Sequence, residues 1–337
     1  MQILFLTNMS PTESEPAQGL FVRNQFEAVK KIAQSVEYYT MSTVCKNIRS
    51  SILRYLFFFL SFVVRYVFST RTINVIHVHF FFPNIFLAIF YKLLRNPKVK
   101  IVVTFHGSDI YKYVPFSKTY NLCLEYLDHA IFVSCHLKER LVQYRKNHSI
   151  LPVGIPSIFF SEGDYKKEFD FIFVGRLDIN KGVERLNELA AILPSDKKLL
   201  IVGSGPERHK LDNLLEKTNI SYKPFQTPEE LVQSYKRSLW SLNLSHNESF
   251  GLVMTESMAC GTPVIATTTD GSITQVKDGV NGVLISQNDF RAQDIINLSN
   301  EYGAGDTYKK IVKATKLSAS KFKLDNIARE VVKIYKL

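Results

Sequence analysis

Residues 244–286, LSHNESFGLVMTESMACGTPVIATTTDGSITQVKDGVNGVLIS, admit few folds. The stretch reads as a loop, a short helix, a buried strand and a tight turn. Phe250-Gly251 lets the backbone turn, and Leu252 to Ala259 have helical composition. Gly261 and then Pro263 follow, the order expected where a helix stops. Val264-Ile265-Ala266 is a short apolar strand, closed by Asp270-Gly271.

Two carboxylates lie eight residues apart in this stretch, Glu248 before the helix and Glu256 inside it. A helix start exposes unpaired backbone N–H groups, here at Phe250-Gly251-Leu252, and can receive an anion such as a phosphate. Glu256 lies more than a turn further in, within reach of whatever the phosphate carries on that side. Glu248 reaches the group on the other side. Any lone pair of glutamates at this spacing is ordinarily a loop residue and a solvated helix residue. Here a whole frame accompanies it: N-E-S-F-G, then E, then M-A-C-G-T-P-V-I-A, then D-G, then D-G-V-N-G. That frame resembles the donor-site signature of the retaining family-four glycosyltransferases of the GT-B fold, the glycosyl transferases group 1. Asp270 departs from it, standing where the family usually has the first Gly of a Gly-Gly pair.

Upstream, Phe169–Val174 reads as a strand and a helix runs on to Leu193. Arg176 and Lys181 lie between them. Two cations so placed can clamp a diphosphate and neutralise it as it leaves; alone they would be ordinary surface cations. Gly203-Ser204-Gly205 is a Gly-rich turn that could face a nucleotide, though it is not the dinucleotide fingerprint.

At 337 residues, 46% hydrophobic and 22% charged, the chain suits two globular domains. The boundaries expected are 1–160, 161–320 and a last helix at 321–337, with the polar stretch 161–168 as linker. Cys45, Cys123, Cys135 and Cys260 lack metal-site or C-x-x-C spacing and read as reduced thiols. MQILFLTN reads as a first buried strand and not as a signal peptide, and the expected location is the cytoplasm.

The first domain reads as alternating strands and helices. Gly19 opens a helix, GLFVRNQFEAVKKIA, whose apolar stripe is Leu20, Phe21, Phe26, Val29, Ile32 and Ala33. INVIHVHFF is a buried strand. Lys98–Phe105 is another, and His106 stands at its carboxyl end, where α/β sheets bind ligands.

The net charge of +11 is uneven. Residues 1–160 carry 18 Lys/Arg and 8 Asp/Glu, whereas 161–337 carry 24 and 23. Between Tyr38 and Ser108 there are nine basic residues and no acid. A basic surface attracts nucleic acid, anionic lipid or an anionic substrate. No nucleic-acid reading element is present. Residues 47–71, NIRSSILRYLFFFLSFVVRYVFSTR, are too short in apolar run to span a bilayer. Their aromatic and aliphatic residues, interrupted by Arg49, Arg54, Arg65 and Arg71, suit a helix lying in a membrane interface. The competing reading is an amphipathic helix packed on the domain.

The resemblance implies an α/β GT-B architecture: two Rossmann-like domains facing across a cleft, with the last helix crossing back to the first. It implies a glycosyltransferase that moves a sugar from a nucleotide-diphosphate donor with retention, and the aromatic, basic stretch 47–71 favours a glycan or lipid-linked glycan acceptor in cell-surface polysaccharide synthesis. By that resemblance Arg176, Lys181 and Phe250–Leu252 hold the diphosphate, Glu256 the ribose, and Glu248 the sugar. His106 then contacts sugar or acceptor, and Gly19 lies in a loop facing phosphate or acceptor. No metal or other cofactor is required, and the chain has no D-x-D motif. A hydrolase or epimerase acting on nucleotide sugars with the same fold is the alternative; a basic nucleic-acid-binding protein is the second. The expected partners are the nucleotide sugar, the acceptor and the cytoplasmic face of an anionic membrane.

Overall fold

A computed structural model describes residues 1–12, 15–41, 50–111, 118–163 and 165–337. Cys45 and Arg49 lie outside the described residues. The chain divides into two compact units, Met1–Gly154 with Leu324–Leu337, and Ile155–Lys323.

The first unit is built on a parallel six-stranded sheet in the order β2-β1-β3-β4-β5-β6. Its strands are β1 (Gln2–Thr7), β2 (Ser35–Thr40), β3 (Val75–His79), β4 (Lys100–Phe105), β5 (His129–Phe132) and β6 (His148–Ile150). Central strands read as apolar runs because helices cover a parallel sheet on both faces. Ile3 to Leu6 are fully buried, and Phe5 registers with His77 of β3. The helix Leu324–Lys336 belongs to this unit. Its Ile327, Ala328, Val331 and Tyr335 join Ile3, Phe5, Phe26 and Val29 in one core, and the Tyr335 hydroxyl lies 2.6 Å from His77 Nδ1.

The second unit repeats the plan with strand order β12-β11-β10-β7-β8-β9, again all parallel. The strands are β7 (Phe169–Val174), β8 (Leu199–Val202), β9 (Ile220–Lys223), β10 (Ser238–Asn243), β11 (Val264–Thr267) and β12 (Gly282–Ile285). Apolar clusters line both faces of the sheet, and the single tryptophan, Trp240 of β10, is fully buried in one of them.

Four local expectations change. The units divide at Gly154/Ile155, before the polar stretch 161–168. Ile155 and Phe159 are buried in the second core, and the Lys236 ammonium donates to the Ser161 and Glu162 carbonyls, so that stretch is anchored to the second unit. The helix Leu20–Ile32 buries Val22, Gln25, Phe26, Ala28 and Val29, while Leu20 and Ile32 of the expected stripe are exposed. Asp270-Gly271 does not make a tight turn. Thr269 and Ser272 form a capping box that starts a helix, Asp270–Gln275.

The fourth concerns the basic field. Residues Ser51–Phe62 are helical and continue through a wider turn, Val63–Val67. Phe58, Phe62 and Tyr66 are buried, with Phe58 and Tyr66 packing on Tyr39 of β2. Ile52, Leu53, Leu56, Phe57, Leu60, Val64 and Phe68 are exposed, Ile52 at 80%. Glu37, just outside the acid-free span, lies 3.8 Å from Arg65 and 3.4 Å from Arg71, so one carboxylate offsets part of that charge. No described helix is long and apolar enough to cross a membrane.

Candidate active site

Strands β7 and β10 are neighbours in the second sheet and run parallel, so the loops leaving their carboxyl ends lie side by side. The β7 loop folds back on itself. Asp178 caps a short turn by accepting from the Lys181 amide at 2.9 Å, and Gly182 ends it in the left-handed region, φ 74°. A Cβ at Gly182 would overlap the Leu244 carbonyl, so only glycine lets the two loops approach this closely. They are then stitched together. The Asn180 carbonyl accepts from the His246 amide at 2.8 Å, and the Asn180 side-chain amide donates to the Asn247 carbonyl at 3.1 Å. His246 Nε2 bonds Glu184, and Arg185 donates to the Leu244 carbonyl at 3.1 Å.

That register brings Lys181 Nζ onto the Glu248 carboxylate. The pair is partly buried, with side-chain exposures of 29% and 12%, which strengthens its attraction relative to a surface pair. Arg176 stays 60% exposed, its Nε 3.4 Å from Asp178.

Glu248 is held from behind by two glycines. Its carbonyl accepts from the Gly271 amide at 2.7 Å. A Cβ at Gly271 would come within 2.9 Å of Glu248 Cγ and 2.7 Å of the Phe250 carbonyl oxygen. A Cβ at Gly251, which has φ 86°, would lie 3.1 Å from the same Cγ. Gly271 is thus needed for space and not for a turn, which is why Asp270 is tolerated beside it. Gln275 donates to the Phe250 carbonyl, and its own side-chain carbonyl accepts from Thr255 at 2.7 Å. The helix Leu252–Ala259 begins at Gly251 and presents the N–H groups of its first turn there. Gly261, at φ 80°, ends it: its amide reaches the Met258 carbonyl and the Thr262 amide reaches that of Ser257, a Schellman closure.

Glu256 is set differently. The residue is only partly exposed, and desolvation pushes its carboxyl up to about 8, opposed by a hydrogen bond with the buried Tyr235 hydroxyl. Burial likewise raises Tyr235. Glu256 is therefore mostly protonated near neutral pH, whereas Glu248 faces a lysine.

Gly203 and Gly205 have a packing role. A Cβ at either would overlap the carbonyl of Gly175 or Leu177, respectively, so these glycines let the turn after β8 close on the Arg176 loop.

In the first unit, His106 follows β4 and shares a 3.1 Å hydrogen bond between its Nε2 and His79 Nδ1. The rings stack at 5.3 Å between centroids, and Phe21 and Phe80 close around His106. Burial lowers His106 to about 3, so its imidazole is neutral. Asp109 accepts from the His106 and Gly107 amides at 3.0 and 2.8 Å, yet desolvation raises its carboxyl to about 6. Phe80 has φ 63°, a strained backbone for a bulky residue, costing about 1–3 kcal/mol. Gly19 begins its helix at φ 64° with a Cβ position 2.9 Å from the Met9 carbonyl group, so glycine there is required by the backbone itself.

The structure pairs Lys181 with Glu248 beside the helix start at Phe250-Gly251-Leu252; Arg176 lies on the same loop after β7, against Asp178, and Glu256 lies further along the helix, against Tyr235. The sequence reading missed His246, Glu184 and Asn180, which fix the two loops to each other, and Asn84 beneath the histidines. The adjacency of His246 to Glu248 was their one signal.

The model of glycosyl transferases group 1 matches residues 154–317, and that of Glycosyltransferase Family 4 matches 31–156. An uncharacterized glycosyltransferase of Methanocaldococcus jannaschii is 28% identical over 281 residues, 80% of this chain and 77% of the relative. A D-inositol 3-phosphate glycosyltransferase of Mycolicibacterium gilvum is 38% identical over 122 residues, 34% of this chain and 27% of the relative. Among solved structures, a sucrose-phosphate synthase from Thermosynechococcus elongatus superposes with TM-score 0.81 at 21% identity, covering 100% of this chain and 98% of that one. Anabaena HepE in complex with UDP-glucose gives 0.72 at 16% identity, covering 100% and 99%. At such identities these superpositions speak for the fold.

Proposed function

This chain belongs to the glycosyltransferases of group 1 and family 4, with the GT-B fold, and on that premise we propose that it moves a sugar from a nucleoside-diphosphate donor to a glycan or lipid-linked glycan, with retention at the anomeric carbon. The observation that carries the reading is the Lys181–Glu248 pair, built from two neighbouring strand ends beside the start of the Leu252–Ala259 helix.

Lys181 and Glu248 neutralise one another. An incoming diphosphate gives Lys181 a second anionic partner, joined by Arg176 and the N–H groups at Phe250, Gly251 and Leu252. Those fixed positive groups stabilise the charge that develops as the sugar–phosphate bond breaks, the task a metal ion performs elsewhere. Glu248, held by Gly251 and Gly271, is left to bind sugar hydroxyls and orient the anomeric carbon. Glu256, carrying a proton, can donate one hydrogen bond and accept others, which suits paired ribose hydroxyls. His106, being neutral, can share a hydrogen bond with sugar or acceptor. HepE has been solved with UDP, with UDP and glucose, and with UDP-glucose, which supports a nucleotide-sugar donor here.

The exposed apolar face of residues 51–68 supports a peripheral seat on an anionic membrane at its cytoplasmic side, where a lipid-linked acceptor for surface polysaccharide would lie. Hydrolysis or epimerisation of a nucleotide sugar is the competing activity. The test is a panel of nucleotide sugars incubated with and without glycan or polyprenyl-linked acceptors, followed by NMR of the product. The account expects acceptor-dependent transfer with retained configuration and a fall on the order of 100-fold on Glu248→Gln, the loss typical of removing one group that stabilises a transition state, with folding intact. Acceptor-independent release of free sugar at the full rate, or normal transfer by the Gln variant, would contradict it.

A further inference from the structure

We infer that Asn84, Asn8 and Tyr55 are positioning residues that set the His79–His106 pair and tie it to the exposed helix Ser51–Phe62. The inference rests on the sugar- or acceptor-side role proposed above for His106. Asn84 is fully buried at the start of the helix Phe81–Leu94. Its side-chain nitrogen is 2.9 Å from the His79 carbonyl, 2.9 Å from the Phe80 carbonyl and 3.1 Å from Asn8 Oδ1. One amide thus grips the segment in which Phe80 takes its strained conformation. The Phe80 ring meets His106 at 4.8 Å between centroids, and His79 bonds it directly. Asp109 pins the other side, accepting from the backbone amides of both Phe81, at 3.5 Å, and His106.

The chain of contacts continues outward. The Asn8 side-chain amide, just past the end of β1, donates to the Tyr55 hydroxyl at 3.3 Å. Tyr55 stands on the helix that exposes Ile52, Leu53, Leu56, Phe57 and Leu60. The helix is held again at Phe58, whose carbonyl accepts from Tyr39 at 2.6 Å. Two polar atoms of the cluster, His79 Nε2 and Asn84 Oδ1, are buried with no hydrogen-bond partner among the described residues. Buried polar groups left so are rare and costly in a purely structural core, which points to a cluster kept for its geometry. A displacement of the helix at a lipid surface moves the Tyr55 hydroxyl, and through Asn8 and Asn84 it moves the backbone that carries His79 and Phe80.

The test uses the full chain labelled with ¹⁵N-histidine, its ring signals assigned through His79→Gln and His106→Gln. Tyr55→Phe removes one hydroxyl, and Asn8→Ser removes the middle amide. Each should displace the His79 and His106 signals while leaving those of His129 and His148 in place. Signals that superimpose on the parent in both variants overturn the inference, whatever the membrane does. Vesicles of phosphatidylglycerol and phosphatidylcholine are then added. The parent's two signals should shift, and those of Tyr55→Phe should not, although both proteins float with the vesicles. An equal shift in Tyr55→Phe overturns the link to the helix. Failure of the parent protein to float removes the membrane reading alone, and the first comparison still decides the positioning role.

Discussion

Replacing Glu256 with glutamine should change how the second unit's stability depends on pH. Burial holds the Glu256 carboxyl up to about 8, against an ordinary value of 4.5. In the unfolded chain this group ionises near 4.5, so between the two values the folded state binds the extra proton. Stability from this group is fully present below pH 4.5 and is lost as pH rises through 8. Each unit of difference is worth about 1.36 kcal/mol, and integrating from about pH 5 to about pH 8 gives a loss of about 3 kcal/mol. The glutamine side chain cannot ionise and keeps the shape of the protonated acid. The Glu256→Gln variant and the parent should therefore be of similar stability near pH 5, and the variant should be about 3 kcal/mol more stable near pH 8. Other titrating groups cancel in the difference. The single tryptophan makes the assay local: Trp240 is buried in the second unit, so urea unfolding followed by its fluorescence reports that unit. Unfolding midpoints across this pH range that differ by a constant would refute the reasoning, since they would mean that Glu256 is already ionised in the folded protein.

Two further perturbations test the site and the surface. Gly271→Ala places a methyl 2.9 Å from Glu248 Cγ, and overpacking of this kind costs about 1–3 kcal/mol; transfer should fall roughly tenfold or more in a protein that still unfolds cooperatively, and unchanged turnover would remove the glycine from the positioning of Glu248. Ile52→Asp with Leu56→Asp alters side chains that are 80% and 55% exposed, so the fold should persist while flotation with anionic vesicles drops roughly tenfold or more; undiminished flotation would leave the helix face without that partner.

The sequence was most legible where backbone chemistry and side-chain chemistry agreed. Gly251, Gly261 and Pro263 bound a helix by conformational necessity, and the helix Leu252–Ala259 appears between them. Parallel strands such as Ile3–Leu6 and Val264–Ala266 were visible as apolar runs because both their faces are covered. Less visible was whatever depends on which neighbour arrives. Leu20 and Ile32 looked like part of a stripe, but the face of that helix is chosen by the last helix of the chain, Leu324–Lys336, whose Val331 and Tyr335 meet Phe26 and Val29 in the core. The role of Gly271 could not be read as a matter of space, because that needs the position of Glu248 Cγ. Likewise the close packing of Gly203 and Gly205 on the Gly175 and Leu177 carbonyls needs the position of the neighbouring loop, which the sequence does not show. Glu37 lies one residue outside the acid-free span, so a count along the chain could not show that it meets Arg65 and Arg71.

The central claim is that Lys181 and Arg176, set by the Glu248 loop, receive the donor's diphosphate. Isothermal titration with UDP, GDP and ADP identifies the tightest nucleotide for the parent chain; the same nucleotide is then titrated into Lys181→Ala and Arg176→Ala. Loss of a hydrogen-bonded charge contact is worth about 1.5–3 kcal/mol, so each variant should bind on the order of 10- to 100-fold more weakly. Affinities equal to the parent's in both variants would contradict the assignment of this site.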